Sequence, residues 1–448
     1  LSSNFTIIFC FVLVLLGCPK FAAGNDEMQV FDDKAETFFP ELSAVLKSLE
    51  KQAPFLLEQR ELIMQARSQR IITDSSKGFK VGINAQAQSL HEDRPSQGFY
   101  HRYRVLGSVQ VRKPLYHWGA LDAASRVSEL NEQSAKLQYS SLQRSYRSKV
   151  RSDFLDLVLL RYESQLTQAS YALAQKNEQD LDRRRQLGLV SDLAVYEATL
   201  SRLKQSIKLS DLRRKTNYQG RLFLAETGYP KGLTFARTPS FSLFCESRVF
   251  TKNAPILVSQ LGSPELQNLK NQIEVERNRI KIADADLKPK LNLIGGLYQD
   301  QVDMANSQET VKRNNLLIGI EAQWDIWDSS LSKGKKASAM SKKRMNELSL
   351  ERSARRLRLI VEDLANQISS LSSEIEVNRQ LVKVAEIRYE KSLLEFQQNR
   401  ITPTLHFESR QTLDESKLDL ARTVSQYLKV RDLYDERLNF DKNQPTPR

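Results

Sequence analysis

The sequence predicts a mainly α-helical fold with a small β part, in which two copies of one unit each contain a long helical hairpin and two strands. Three observations predict it: long stretches without helix breakers, an internal repeat, and short segments of alternating polarity. None of the 13 Pro in the 448 residues lies at 115–229 or 290–402. Gly is absent from 120–187 and from 335–448. These stretches predict helices far longer than the usual length of roughly 8 to 20 residues.

The composition argues against several classes of protein. A formal net charge of +13, 27% charged residues and a mean hydropathy of −0.48 are atypical of a polytopic helical membrane protein. After the N-terminus no segment holds about 18 consecutive apolar residues, as a helical span would require. The basic balance would suit nucleic acid, but the export signal described next argues against that partner.

The first residues have the pattern of an export signal. Residues 7–17 (IIFCFVLVLLG) form an apolar run of 11, too short to span a bilayer and typical of a signal-peptide core. Small residues at 22–24 allow cleavage, so we expect a signal peptide at 1–24 and an N-terminal segment at 25–53. Alternatively, Cys18 follows a lipoprotein-like box and would be acylated.

An internal repeat covers most of the chain. The segment that begins at Pro54 aligns with the segment that begins at Pro264, at an offset of 210 residues. Further on, Leu115 aligns with Ile326 at an offset of 211. We therefore predict a first repeat at 54–229, a linker at 230–262, a second repeat at 263–438 and a tail at 439–448.

Four segments alternate between apolar and polar residues, as strands with one apolar face do. They lie at 80–90, 103–112, 291–297 and 316–324. Their length of about ten residues matches a tilted transmembrane strand. A half-buried soluble hairpin would alternate in the same way, so the alternation alone leaves both interpretations open.

Four strands cannot close a membrane barrel, which needs about eight or more, and lipid does not tolerate free sheet edges. Either the sheet lies outside a membrane or several chains share one transmembrane β-barrel. Three chains would supply about twelve strands, an even number in the permitted range. The apolar faces would meet lipid, and the polar connections at 91–99 and 300–313 would form extracellular loops. The residues predicted to face the lumen are Asn84, Gln86, Arg104, Gln110, Arg112, Glu321 and Gln323.

Heptad spacing in the long helices predicts coiled-coil packing. The stretch 120–187 would form a helix of about 100 Å at 1.5 Å per residue. The heptad positions are Leu155, Val158, Tyr162 and Leu166 in the first copy, and Leu357, Val361, Leu364, Ile368, Leu371, Ile375, Leu420, Val424, Tyr427, Arg431, Tyr434 and Leu438 in the second.

With these elements the chain resembles the TolC-like outer-membrane efflux channels over about residues 38–438. The likeness rests on the order of elements, the duplication, VQVRKPLYHWG at 109–119 and RQLGLVSDLAVYEA at 185–198. The resemblance implies a homotrimer in the outer membrane of a Gram-negative-type cell, with a long helical extension into the periplasm. It also implies passive export, in efflux or type I secretion, coupled to an inner-membrane transporter through a periplasmic adaptor protein.

The resemblance further implies that the adaptor binds the hairpin tips. The second tip is expected to differ from the first, because Arg400 aligns with Gly188 at an offset of 212 and Gly188 can adopt a left-handed turn conformation. The expected adaptor-binding residues are Leu187, Gly188, Leu189, Val190, Ser191, Ile401 and Thr402.

Polar residues just beyond the tips would line a periplasmic gate in such a channel. Here they are Asp192, His406 and Glu408. With an imidazole in the gate, conductance is expected to change between about pH 5 and pH 8. A solvated helix residue is the simpler alternative for His406.

No motif predicts an enzyme, a cofactor or a metal site. The four His, at positions 91, 101, 117 and 406, are dispersed, and neither a phosphate-binding loop nor a nucleophile motif occurs. His91, Glu92 and Asp93 could together ligate a metal, but a solvated loop is the simpler interpretation of three adjacent polar residues. The main alternative to a channel is an exported structural coiled-coil protein without channel activity, which would explain the heptads alone.

Overall fold

The computed structural model describes residues 34–94, 98–233, 263–303, 310–398 and 400–438. The predicted signal peptide, with Cys18, lies outside these residues, as do most of the predicted linker and the predicted tail.

The helices and strands follow the predicted order, and the mainly α-helical fold is confirmed. In the first half the helices are α1 (Pro40–Gln52), α2 (Pro54–Ser75), α3 (Ala120–Gln186) and α4 (Asp192–Thr227), and the strands are β1 (Lys80–Arg94) and β2 (Gly98–Tyr116). In the second half the helices are α5 (Pro264–Asp286), α6 (Leu331–Gln397) and α7 (Pro403–Leu438), and the strands are β3 (Lys290–Asp303) and β4 (Thr310–Gln323).

The two halves repeat one another element by element. Helices α3 and α6 each have 67 residues, which corresponds to about 100 Å. The returning helices α4 and α7 each have 36 residues. No helix in the described ranges is both long enough and apolar enough to cross a bilayer.

Proline and glycine set the ends of several helices. Pro lies in the first turn of α1, α2 and α5, where the missing amide hydrogen is not needed. Gly228 ends α4 with φ +65°. A Cβ atom there would lie 2.2 Å from the backbone oxygen of Gln52, so the close approach of α4 to the end of α1 requires Gly.

The four strands form one antiparallel sheet in the order β1-β2-β3-β4. The strands are longer than predicted, because pairing continues into both predicted loops at 91–99 and 300–313, as far as Arg94 opposite Gly98 and Asp303 opposite Thr310. Antiparallel backbone pairing does not require alternating polarity, so polar residues at the exposed end extend the ladder. Strands β1 and β4 are the edges within this chain.

The core confirms the heptad prediction. Most of the described heptad residues are buried, whereas Leu166, Leu371 and Arg431 are only partly buried. Helix α3 packs against α4 and α2 of its own half and against α5 and α7 of the other half. The largest fully buried side chains of this core include Phe39, Phe154, Ile368, Ile375, Tyr427 and Tyr434.

A partly buried ion-pair cluster also connects distant parts of the chain. The Arg151 guanidinium on α3 lies 2.8 Å from a carboxylate oxygen of Glu36 and 2.8 Å from one of Asp432 on α7. Each nitrogen thus has its own acceptor, which offsets part of the cost of burying the charges.

Truncation of a central aromatic should destabilise the protein strongly. Phe154 is fully buried, with ring centroids 5.4 Å from Phe39 and 6.0 Å from Phe223. We expect Phe154→Ala to cost about 3 to 5 kcal/mol and to lower the denaturant midpoint of the protein in detergent. Phe99→Ala, at a strongly exposed position, is the control and should leave the midpoint nearly unchanged. Equal midpoints for the two variants would contradict this account of the core.

Candidate functional site

One face of the sheet is apolar and uncovered in this chain. The register places Ile83 opposite Val109, and Ile320 opposite Leu293, on the same face. Ile83 is 81% exposed and Ile320 is 69% exposed. A contiguous apolar surface of this kind requires an apolar environment or a partner.

The opposite face of the sheet is polar. All seven residues predicted to face the lumen lie on it, as the pairing register shows. Arg104 lies 2.9 Å from Asp300 of β3, and Arg112 lies 3.4 Å from Glu321 of β4. The face therefore carries paired charges of both signs, and its position at a lumen stays a prediction.

Aromatic side chains surround the junction between the sheet and the helices, a feature that the sequence reasoning missed. Tyr116, Trp118, Trp324 and Trp327 are all exposed there. The indole nitrogen of Trp118 donates to the backbone oxygen of Pro289 at 2.8 Å, so that ring is fixed. The signal in the sequence was the position of these residues at or just after the ends of β2 and β4.

The first hairpin tip is a tight turn with exposed apolar residues. Gly188 adopts φ +70°, and the amide of Leu189 donates to the oxygen of Arg184 at 2.9 Å, as in a Schellman motif. Leu187 is 73% exposed and Leu189 is 70% exposed. Val190 instead packs against the buried residues just inside the tip.

Polar residues flank this first tip. Ser191 and Asp192 are exposed where α4 begins. The Asp192 carboxylate lies 3.7 Å from the guanidinium of Arg185, which also contacts Asp182 at 3.0 Å. Asp192 is thus on the surface, as a gate residue would be, and its role at a gate stays a prediction.

The second tip corrects our alignment of the repeats. The amide of Arg400 donates to the oxygen of Glu395 at 2.8 Å, which matches the bond from Leu189 to Arg184 at an offset of 211. Arg400 therefore corresponds to Leu189 and not, as predicted from an offset of 212, to Gly188. The residue at the position of Gly188 is Asn399, which lies outside the described residues.

At the same offset, Ile401 and Thr402 correspond to Val190 and Ser191, whereas Gln398 and Arg400 stand where the first tip has the exposed Leu187 and Leu189. Ile401 is partly buried and Thr402 is exposed. The amide of Leu405 donates to the Thr402 hydroxyl at 3.4 Å, so this Thr caps the start of α7. The second tip thus presents a smaller apolar surface than the first.

His406 lies inside the second hairpin and not, as we predicted, on a surface that could line an opening. Its side chain is 6% exposed. The imidazole is stacked between the rings of Tyr389 and Phe396, at centroid distances of 5.4 and 5.0 Å. These two aromatics on α6 remove it from solvent, whereas Glu408 is exposed.

A hydrogen-bonded polar cluster holds His406 in place. Its Nδ1 lies 3.0 Å from the hydroxyl of Ser392, which lies 2.5 Å from the hydroxyl of Ser409. At an offset of 211, the equivalent residues of the first hairpin form the apolar cluster of Leu181, Val195 and Ala198. A titratable polar cluster therefore packs beneath the second tip, whereas apolar side chains pack at the equivalent positions beneath the first tip.

Burial lowers the pKa of His406, and the nearby positive charge of Arg410 lowers it further. The Arg410 guanidinium lies over the Tyr389 ring at 5.2 Å and contacts Asp414 at 3.1 Å. The imidazole is therefore neutral near pH 7 in the folded hairpin. Within the described ranges, no group of three or more His, Cys, Asp or Glu side chains is arranged to hold a metal ion.

Acid should loosen the second tip selectively. An unfolded imidazole binds a proton near pH 6.5, and the folded pKa of His406 is lower, so the opened tip takes up the proton first. The stabilising contribution is complete above about pH 6.5 and falls as the pH drops toward the folded value. We expect several-fold faster hydrogen exchange at this tip at pH 5 than at pH 7.5, after correction for intrinsic rates.

The first tip is the matched control for this experiment, because Val195 stands at the equivalent position. His406→Phe should abolish the extra acid sensitivity of the second tip. The account is wrong if both tips respond equally to pH, or if the variant responds like the wild type.

Solved structures of outer-membrane channels have the same architecture. The CmeC channel of Campylobacter jejuni matches with a TM-score of 0.77 and 13% identity, over 92% of this chain and 88% of that chain. VceC of Vibrio cholerae matches with a TM-score of 0.72 and 14% identity, over 90% and 97% of the two chains. The open state of MtrE of Neisseria gonorrhoeae gives a TM-score of 0.71 and 11% identity, over 89% of each chain.

The likeness is confined to the architecture. No protein-family model and no curated protein matches the sequence. The resemblance inferred from the order of elements is nevertheless confirmed in three dimensions over most of the chain. This chain has the fold of the TolC-like outer-membrane efflux channels.

Proposed function

We propose that three copies of this chain form a channel in the outer membrane of a Gram-negative-type cell. The channel is a passive export duct with a long periplasmic extension, and it is not an enzyme. It works in a tripartite efflux or type I secretion system with an inner-membrane transporter and a periplasmic adaptor.

The observation that carries the proposal is the sheet with an uncovered apolar face and two free edges. Lipid provides no hydrogen-bonding partners, so the backbone groups of β1 and β4 must pair with other strands there. Three chains would contribute about twelve strands, an even number within the range of known barrels. Adjacent copies would pair β4 with β1, which keeps the antiparallel alternation.

The open helix faces support the same assembly. Within the chain, α5 packs against both α3 and α6, and α7 packs against both α6 and α3. Their repeat counterparts α2 and α4 pack mainly on α3. Correspondingly, large exposed apolar residues are frequent on α2, α4 and α6, whereas among described residues α3 and α5 have none. A neighbouring copy that packs its α6 on α2 and α4 would cover these faces.

The aromatic residues at the junction support a defined depth in the membrane. Tyr and Trp concentrate at membrane interfaces, where an apolar ring and a polar group are both accommodated. Here Tyr116, Trp118, Trp324 and Trp327 lie where the apolar face of the sheet ends and the helices begin. The helices would then project into the periplasm, and the ends of the strands that carry the turns would be extracellular.

Adaptor binding is proposed for the first tip above all. Exposed Leu187 and Leu189 offer an apolar contact at the end of a helix of about 100 Å. Ile401 and Thr402 would add a weaker contact at the second tip. Asp192 and Glu408, which are exposed near the tips, remain candidates for the gate.

Charges on the apolar face of the sheet should prevent membrane assembly. Arg in place of Val109 or Ile320 is expected to cost about 2 to 4 kcal/mol near the midplane of the bilayer. Gln110→Arg is the matched control, because Gln110 neighbours Val109 but lies on the polar face. We expect Gln110→Arg to assemble normally and to shift ion selectivity in planar bilayers. Normal membrane assembly of both Val109→Arg and Ile320→Arg would overturn the proposal.

A charge at the first tip should block transport without disturbing assembly. Asp tolerates the left-handed conformation of Gly188, and a Cβ atom there has open space, so Gly188→Asp should keep the turn. We expect a detergent-stable trimer with transport lost and adaptor crosslinking lost. Gly188→Asn, which keeps the turn without the charge, should retain both activities. Adaptor crosslinking and transport that persist in Gly188→Asp would refute docking at this tip.

A further inference from the structure

Two histidines meet at the end of the sheet that lies far from the helices. His91 of β1 is directly opposite His101 of β2 in the strand register. The Nε2 atom of His91 lies 2.9 Å from the Nδ1 atom of His101. The ring centroids are 4.3 Å apart, with an angle of 60° between the ring planes. Residues that are separated in the sequence thus form one pair in space.

Core packing does not account for this pair. Both imidazoles are exposed, and they lie beyond the apolar part of the sheet face. The His101 ring also contacts the Tyr103 ring in a T-shaped arrangement, at a centroid distance of 4.9 Å. In the neutral pair one nitrogen donates the shared proton and the other accepts it. When the donor ring adopts its other neutral tautomer, with the proton transferred through water to its second nitrogen, both facing lone pairs are available to a cation.

The distance between the two nitrogens is close to what a metal ion requires. Zinc binds imidazole nitrogens at about 2.0 to 2.1 Å, so two nitrogens of a tetrahedral site lie about 3.3 Å apart. The observed 2.9 Å needs to widen by only a few tenths of an ångström. Small rotations of two exposed side chains supply this change without any movement of the paired strands.

We propose that His91 and His101 form a surface site for a divalent transition-metal ion. The two imidazole nitrogens bind the ion, and water completes its coordination. Imidazole favours zinc, copper and nickel, whereas magnesium and calcium prefer oxygen ligands. The bound ion would join the two strands of the hairpin near its turn.

The site should bind zinc in a saturable manner. Isothermal titration of the untagged full chain in detergent at pH 7.5 should show one zinc ion per chain, and calcium should give no such signal. The double variant His91→Gln/His101→Gln should lose at least about tenfold in zinc affinity.

His117→Gln is the matched control, since it removes an imidazole that hydrogen bonds to Asn292 near the other end of the sheet. This variant should bind zinc like the wild type. Cu²⁺ serves as a second probe, because its electron paramagnetic resonance spectrum should show two nitrogen ligands in the wild type and one in His101→Gln.

Zinc affinity that is unchanged in the double variant, or a wild-type protein without saturable binding, would overturn the site. The site depends only on the geometry of the β1–β2 hairpin. Its failure would therefore leave the proposed channel untouched, and loss of channel activity would leave the zinc titration interpretable.

Discussion

The packing of α3 between the helices of the second half holds this molecule together. Each half alone is a long helical hairpin with two strands, and neither has enough facing surface to enclose a core. Phe154 and Leu155 of α3 join the cluster that also contains Ile368, Val424 and Tyr427 of the second half. Because this seam fixes α3 against α7, it also brings β2 beside β3 and makes one sheet from two hairpins.

The same seam makes the two halves unequal. It packs α5 and α7 between two long helices but leaves α2 and α4 packed mainly on α3. In the sheet, each half contributes one strand that is paired on both sides, β2 or β3, and one edge strand, β1 or β4. In this duplicated chain the two halves pack against each other only at the centre. Each half therefore keeps one uncovered surface, and the two uncovered surfaces are complementary. Association with further copies is the simplest way to satisfy both.

Much of this fold was predictable, because helix breakers and residue periodicity act locally. The absence of Gly and Pro located the end of α3 to within one residue of Gln186, and the heptads identified buried residues such as Val424. Alternation assigned the faces of the sheet. The strand ends were not predictable, because backbone pairing continues through polar residues until the turn. The sequence also did not give the correct alignment of the two tips, which the hydrogen bond of the Arg400 amide established.

The surroundings of the histidines were beyond sequence reasoning. His406 is buried because Tyr389 and Phe396 of α6, the other helix of the hairpin, flank its ring. His91 and His101 meet because the register of the hairpin places them opposite each other, and a shift by one residue would separate them. In both cases the environment comes from a second element whose placement depends on the length of a turn.

The equal helix lengths in the two halves restrict how such a chain can change its reach. One inserted residue in α6 alone would rotate everything beyond it by about 100° and move its apolar stripe off the seam. Seven inserted residues would preserve the stripe and lengthen the helix by about 10 Å. To keep both tips level, the same insertion has to occur in α3, α4, α6 and α7 together. The length of the helical hairpins can therefore change only in steps of whole heptads, and each step has to occur in all four long helices.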